Sequence, residues 1–133
     1  MTVRVVCDAS TLVAVLLDSG ADGQWATATL SAVELAAPAL LPWEIGNVIR
    51  RHELAGTISS DQAAQAHADL LDLRIELWPY ELLARRAWQL RRNLSIYDAG
   101  YVALAETLGV ELITLDRRIL GAPGIGCVVR TPP

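Results

Sequence analysis

From one end to the other the sequence alternates short, apolar, β-rich runs with longer runs of helical period. "VRVVC" reads as a buried strand that stops at Asp8, and "STLVAVLLD" as a helix closed by Ser19 and Gly20. A second helix is expected over "DGQWATATLSAV" and a short strand over "ELAAPALL". "LPWEIGNVIRRHELAG" predicts a helix with Pro42 near its first position and Gly56 past its end. "SSDQAAQAHADLLDL" opens with serine and aspartate and is amphipathic, hence helical; "RIELWP" is a strand stopped by Pro79. "ELLARRAWQLRRNL" predicts an arginine-laced helix, "SIYDAGYVALAETLG" an apolar helix closed by Gly109, "VELITLD" a strand ending in Asp116, and "GIGCVVRT" a last short strand. Such alternation implies an α/β fold of three layers, a central, mostly parallel sheet with helices on both faces. No repeat, linker or low-complexity stretch divides the 133 residues, so one domain over 1–133 is expected.

The charges narrow the function classes. The chain has eleven arginines, no lysine and fifteen acidic residues, and its formal net charge is −4. That balance argues against a general nucleic-acid-binding surface. No apolar run approaches the roughly 18 residues that cross a bilayer. Asp8 interrupts the one N-terminal stretch that resembles a signal peptide, so a cytoplasmic protein is expected. Cys7 and Cys127 lie in strand-like runs and read as buried free thiols. Neither shows metal-ligand spacing with His52 or His67, which read as helix-surface or edge residues. Trp25, Trp43, Trp78 and Trp88 read as core or interface residues, Trp43 being the exception by its place before Glu44.

Four carboxylates carry the chemistry. In open α/β sheets ligands bind beyond the carboxyl ends of the strands. Asp8 and Asp116 each end a predicted strand; Glu44 and Asp98 each lie in the first turn of a predicted helix. Helices that follow parallel strands start at that same edge, so all four can converge. Each taken alone has an ordinary explanation. An acid in a first helical turn is favoured by the macrodipole, by about 0.3–1 kcal/mol. Asp8 and Asp116 can cap the helices after them, and Ser95 with Asp98 resembles a capping box. Capping does not explain why all four stand within apolar runs. Burying unpaired carboxylates together costs several kcal/mol and adds mutual repulsion. No lysine or arginine adjoins Asp8 or Asp98 in the sequence, so a divalent cation resolves the conflict, and hard oxygen donors suit Mg²⁺ or Mn²⁺.

"VVCDASTLVAVLL", "LPWEIGNVIRR", "LSIYDAGYVALAE" and "LITLDRRIL" stand in the order and spacing of the PIN-domain ribonucleases, which the chain resembles over essentially its whole length. Among them it is most similar to the VapC-type toxins of bacterial type II toxin–antitoxin pairs. The resemblance implies a PIN-like fold and a Mg²⁺ site, with Mn²⁺ able to substitute, built from Asp8, Glu44, Asp98 and Asp116. Asp8 and Asp98 are the expected principal ligands. Ser10 and Thr114 match polar positions beside the acids and are expected at most to support them.

By the same resemblance the activity is endoribonucleolytic hydrolysis of RNA, leaving 5′-phosphate and 3′-hydroxyl ends. The implied partners are an RNA substrate and a cognate VapB-type antitoxin, which exposed apolar faces on the first helices would suit. A homodimer is implied as well, with heterotetramers or larger assemblies when the antitoxin is bound. With the four acids set aside, eleven arginines face eleven carboxylates, so the excess negative charge equals that of the empty site. RNA attraction then falls to local arginine pairs, Arg50–Arg51, Arg85–Arg86, Arg91–Arg92 and above all Arg117–Arg118. Two other readings remain: a catalytically silent PIN-like module that binds RNA or a partner, and an aspartate-based phosphohydrolase or receiver domain. The second wants a lysine near the phosphate, and the chain has none.

Overall fold

The computed structural model describes residues 2–133. Five strands form one sheet: β1 (Val3–Cys7), β2 (Val33–Pro38), β3 (Ile75–Trp78), β4 (Leu112–Ile113) and β5 (Val129–Arg130). Their order is β3-β2-β1-β4-β5, and every pairing is parallel. β1 is central, so its C-terminal half is enclosed on both faces: Val5 is buried, and Val6 and Cys7 fully so. The seven helices are α1 (Ala9–Leu17), α2 (Ala21–Leu30), α3 (Leu41–Leu54), α4 (Ser60–Asp72), α5 (Ala84–Gln89), α6 (Ile96–Leu108) and α7 (Arg117–Leu120).

The helix boundaries follow local chemistry. α3 starts with proline in its first turn, where no amide donor is needed. α4 is opened by a reciprocal capping box between Ser59 and Gln62. α6 is capped by the Ser95 hydroxyl, which accepts from the Asp98 amide, and closed by Gly109 at φ 66°, a left-handed position that favours glycine. Ala99 through Ala105 of α6 are all buried, as an all-round apolar helix must be. Leu41, Ile45 and Ile49, one stripe of α3, join the same core.

Three expected elements are shorter than the sequence implies; the last strand, expected over 124–131, pairs only at Val129 and Arg130. The helix anticipated over 81–94 is a 3-10 turn (Tyr80–Leu82), the six-residue α5 and a run of turns. Leu83, Ala87, Leu90 and Leu94 are buried at helical spacing. At both ends, however, the backbone tightens to bonds three residues apart, Leu83 N–H to Tyr80 O and Arg91 N–H to Trp88 O. The buried positions keep the α-helical period throughout, so the pattern does not report the tighter turns at either end. The strand expected over 110–116 pairs only at Leu112 and Ile113, so Asp116 lies beyond the strand end. The Thr114 amide still reaches Arg130 O, but its side chain turns toward the acidic residues. Among the described residues no helix is long and apolar enough to cross a membrane. Cys7 and Cys127 are free, the first buried and the second partly so. His52 is half-buried and His67 exposed. Trp25 and Trp78 pack against the core, whereas Trp43 and Trp88 are exposed.

Candidate active site

The C-terminal end of β1 delivers Asp8. It is both the N-cap of α1 and, at 6% exposure, a buried carboxylate. Its Oδ1 accepts from the Ser10 hydroxyl at 2.7 Å, the Thr11 amide at 3.1 Å and the Thr11 hydroxyl at 3.0 Å. Its Oδ2 accepts from the Thr114 hydroxyl. Thr11 and Thr114 are themselves fully buried. Four donors therefore hold one carboxylate in a single orientation, and charge-assisted bonds of this kind are the strong ones. The Thr114 hydroxyl also accepts from the Asp116 amide at 2.9 Å, so it ties the Asp8 side chain to the backbone that carries Asp116. Ser10 makes a second tie by accepting from the Leu115 amide at 3.2 Å.

Glu44 and Asp98 approach from the first turns of α3 and α6. Burial pushes the Glu44 carboxyl above the usual range, against the pull of the Tyr101 hydroxyl, and the charges of Asp8 and Asp98 push it further up. Burial likewise raises Asp98, followed by the charges of Asp116 and Asp8; hydrogen bonding by Ser95 and the charge of Arg118 pull the other way. Each of these acids thus feels at least two others across the strand ends. Tyr101 Oη donates to Glu44 Oε1 at 2.8 Å, and burial and the Glu44 charge hold its phenol proton on.

Asp116 differs from the other three. It caps α7 through the Arg118 amide, and the Arg118 guanidinium grips both its oxygens, at 3.0 and 2.8 Å. That grip pulls its carboxyl below the usual range. Both capping expectations, at Asp8 and at Asp116, are therefore realised.

Among the described residues, no three His, Cys, Asp or Glu side chains stand close enough together to hold an ion as placed. Asp116 is turned onto Arg118 and Glu44 onto Tyr101. The donor set nonetheless has the chemistry of a hard divalent cation's ligands: four carboxylates, two of them raised by burial and by acidic neighbours, with Arg118 the cation that acts on Asp98 and Asp116.

The sequence missed Thr11 and Tyr101. Thr11 lies three residues after an N-cap aspartate, where a hydroxyl can reach back. Tyr101 lies three residues after Asp98, on nearly the same helix face. The arginine pairs have diverse roles. Arg86 forms a two-pronged bond to Glu106 at 2.6 and 3.1 Å and donates to Gly124 O. Arg91 lies 4.6 Å over the Trp88 ring, and Arg117 donates to Pro132 O. Arg118 is paired with Asp116 yet otherwise exposed.

Residues 5–124 match the PIN domain family. The chain is 39% identical over 126 residues to Ribonuclease VapC1 of Mycobacterium tuberculosis, covering 94% of this chain and 95% of that one. It is 31% identical over 120 residues to Ribonuclease VapC3 of Pyrobaculum aerophilum, covering 87% and 92%. Among solved structures, PAE2754 of Pyrobaculum aerophilum superimposes with a TM-score of 0.68 at 26% identity, over 97% of this chain and 92% of the other. VapC20 of Mycobacterium tuberculosis, a sarcin-ricin loop cleaving toxin, has the same fold, with a TM-score of 0.67 at 17% identity over 93% and 98%. Matched over nearly its whole length by these relatives, and built on the parallel sheet described above, the chain belongs to the PIN-domain family, among the VapC ribonucleases.

Proposed function

We propose that this protein is a single PIN domain over residues 1–133, the toxin of a type II toxin–antitoxin pair. It hydrolyses RNA internally with the help of Mg²⁺, for which Mn²⁺ can substitute. The reading is supported above all by the electrostatic coupling of the acids at this edge of the sheet: Glu44 and Asp98 are destabilised by burial and by the charges of Asp8, Asp116 and one another. Relatives named ribonuclease, at 31–39% identity, support the activity. The VapC assignment brings with it a VapB-type antitoxin that neutralises the toxin, a homodimer, heterotetramers or larger with the antitoxin, and action in the cytoplasm.

Asp8, Glu44, Asp98 and Asp116 would hold the ion. When bound, it supplies positive charge to the scissile phosphate and lowers the pKa of a water. The chain's own residues do the positioning. Ser10, Thr11 and Thr114 fix the Asp8 carboxylate, so no reorganisation is needed when charge develops nearby. Tyr101 fixes Glu44. Asp98 stands on a helix whose next seven residues are buried, which makes its backbone rigid. Arg118 reaches outward from Asp116, where its free donors can meet the RNA backbone.

The test is cleavage of total RNA by purified, antitoxin-free protein. Discrete fragments are expected with Mg²⁺ or Mn²⁺, and none with EDTA or with Asp98→Asn. Intact RNA after incubation with folded, metal-loaded protein would refute the nuclease reading in favour of a binding module.

A further inference from the structure

A cavity of about 330 Å³ opens beside the carboxylates. It lies between the ends of β2 and β3 (Pro38, Trp78), the start of α3 (Leu40, Glu44) and the first turns of α6 (Tyr97, Tyr101). Its walls are aromatic and aliphatic, and Glu44 is the one charged residue lining it. The volume is at the lower end of the range for small-ligand pockets, about 300–1,000 Å³. Tyr80 and Tyr97, both among its lining residues, are 55% and 62% exposed. Large aromatics left in water beside a cleft mark a binding surface better than they serve a core.

Resting on the ribonuclease reading above, we infer that this cavity receives one unpaired nucleobase of the RNA, next to the phosphate that is cut. Two observations select that occupant. The cavity is continuous with the acidic site, because Glu44 and its hydrogen-bond partner Tyr101 line both. A ligand reaching from one to the other is therefore part of the molecule whose phosphate lies at the carboxylates. Within RNA, the phosphate is excluded from the cavity by the Glu44 charge and by walls that offer few donors. The base is flat, uncharged and suited to the faces of Tyr80, Tyr97 and Trp78. A paired base cannot enter, so cleavage is directed to single-stranded segments.

The test compares two fluorescein-labelled probes of equal charge, heptaadenylate and a fully abasic heptamer. Each is titrated by fluorescence anisotropy, in Mg²⁺, against the cleavage-dead Asp98→Asn protein with and without Tyr97→Ala. Heptaadenylate is expected to bind at least tenfold more tightly than the abasic probe. Tyr97→Ala is expected to weaken heptaadenylate about tenfold and leave the abasic probe unchanged. Tyr97 is exposed, so its loss spares the fold; circular dichroism checks this. Gly100→Leu gives a second arm. The Cβ at Gly100 meets nothing nearer than Pro38 Cγ at 3.7 Å and the position lines the cavity, so the added side chain narrows it; the same selective loss is expected, with the fold again checked by circular dichroism. If both variants bind heptaadenylate as tightly as their parent, the inference is overturned. It is also overturned if Tyr97→Ala turns a dimer into a monomer in sedimentation while base preference persists, because the cavity is then an interface between copies. Either result leaves metal-dependent RNA cleavage standing, whereas wild-type protein that cuts no RNA removes the ribonuclease reading itself.

Discussion

Replacing Tyr101 by phenylalanine tests whether the acidic site is held as the structure indicates. The ring is 2% exposed, and its hydroxyl donates to Glu44 Oε1 at 2.8 Å between residues 57 positions apart. Phenylalanine keeps the ring and its packing, so the change removes one hydrogen bond to a charged acceptor. Such bonds contribute about 1.5–3 kcal/mol. Glu44 is only half-buried and can regain water, which places the loss near the lower end, about 1.5 kcal/mol. For a chain of this length each kcal/mol shifts the melting temperature by roughly 3–5 °C, so a fall of about 5–7 °C is expected. The direction of a second effect also follows. The Tyr101 bond is the one force pulling the Glu44 carboxyl down against burial, Asp8 and Asp98, so its loss raises that carboxyl further. Proton competition for the site then increases, and Mg²⁺ should bind more weakly at pH 6 than at pH 8 by a larger factor than in the wild type. Thermal scans with and without Mg²⁺ at both pH values read both effects. Combining Tyr101→Phe with Glu44→Gln should cost clearly less than the sum of the two. An unchanged melting temperature, together with additive costs, would refute the claim that this bond organises the site.

Thr114→Val leaves shape nearly intact but strips a donor from Asp8 and an acceptor from the Asp116 amide. A loss of about 2 kcal/mol in urea unfolding is expected, with weaker Mn²⁺ binding by isothermal titration. Asp98→Asn removes a charge that burial, Asp116 and Asp8 all disfavour, so in EDTA it should melt higher than the wild type while losing the metal-induced rise. For pH, raised folded-state values at Glu44 and Asp98 mean that the folded chain binds protons more readily than the unfolded one. Metal-free stability from these two groups therefore increases as pH falls through the window just above their ordinary values of 4.5 and 3.8. Glu106 and Asp116 have lowered values, so the stability they contribute is present above 4.5 and 3.8 and is lost below them. Urea midpoints measured in EDTA from pH 7.5 to 3 should pass through a maximum in mildly acidic buffer. Arg86→Ala cuts the two-pronged tie between α5 and Glu106 of α6. The partly exposed pair should contribute about 1 kcal/mol, read as a lower urea midpoint with Mg²⁺ affinity unchanged.

The sequence by itself determined the α/β class, the alternation of elements, and the places of Asp8 at a strand end and of Glu44 and Asp98 in first helical turns. These rest on local signals. β1 is a run of residues apolar enough for a strand covered on both faces, α6 is apolar all round, and Pro42, Ser59 and Gly109 mark helix ends through bonds made within a few residues. Asp8, Glu44 and Asp98 stand out because each interrupts such a run. What only the tertiary structure decided depends on contacts across many positions. Sheet order places β1 between β2 and β4, so that the β1 end faces the Thr114 hydroxyl, 106 residues away, and no local pattern encodes that pairing. β4 is cut short nearby, because beyond the Thr114 amide the Leu115 and Asp116 amides turn to the Ser10 and Thr114 hydroxyls instead of to a neighbouring strand. The breaking of the 81–94 helix was illegible because its buried residues, Leu83, Ala87, Leu90 and Leu94, keep α-helical spacing across the turns that flank α5. The attachment of Glu44 to Tyr101 was also decided there, because these residues lie 57 positions apart and meet only when the sheet has brought α3 and α6 to one edge, whereas Asp116 meets Arg118 locally, two residues on.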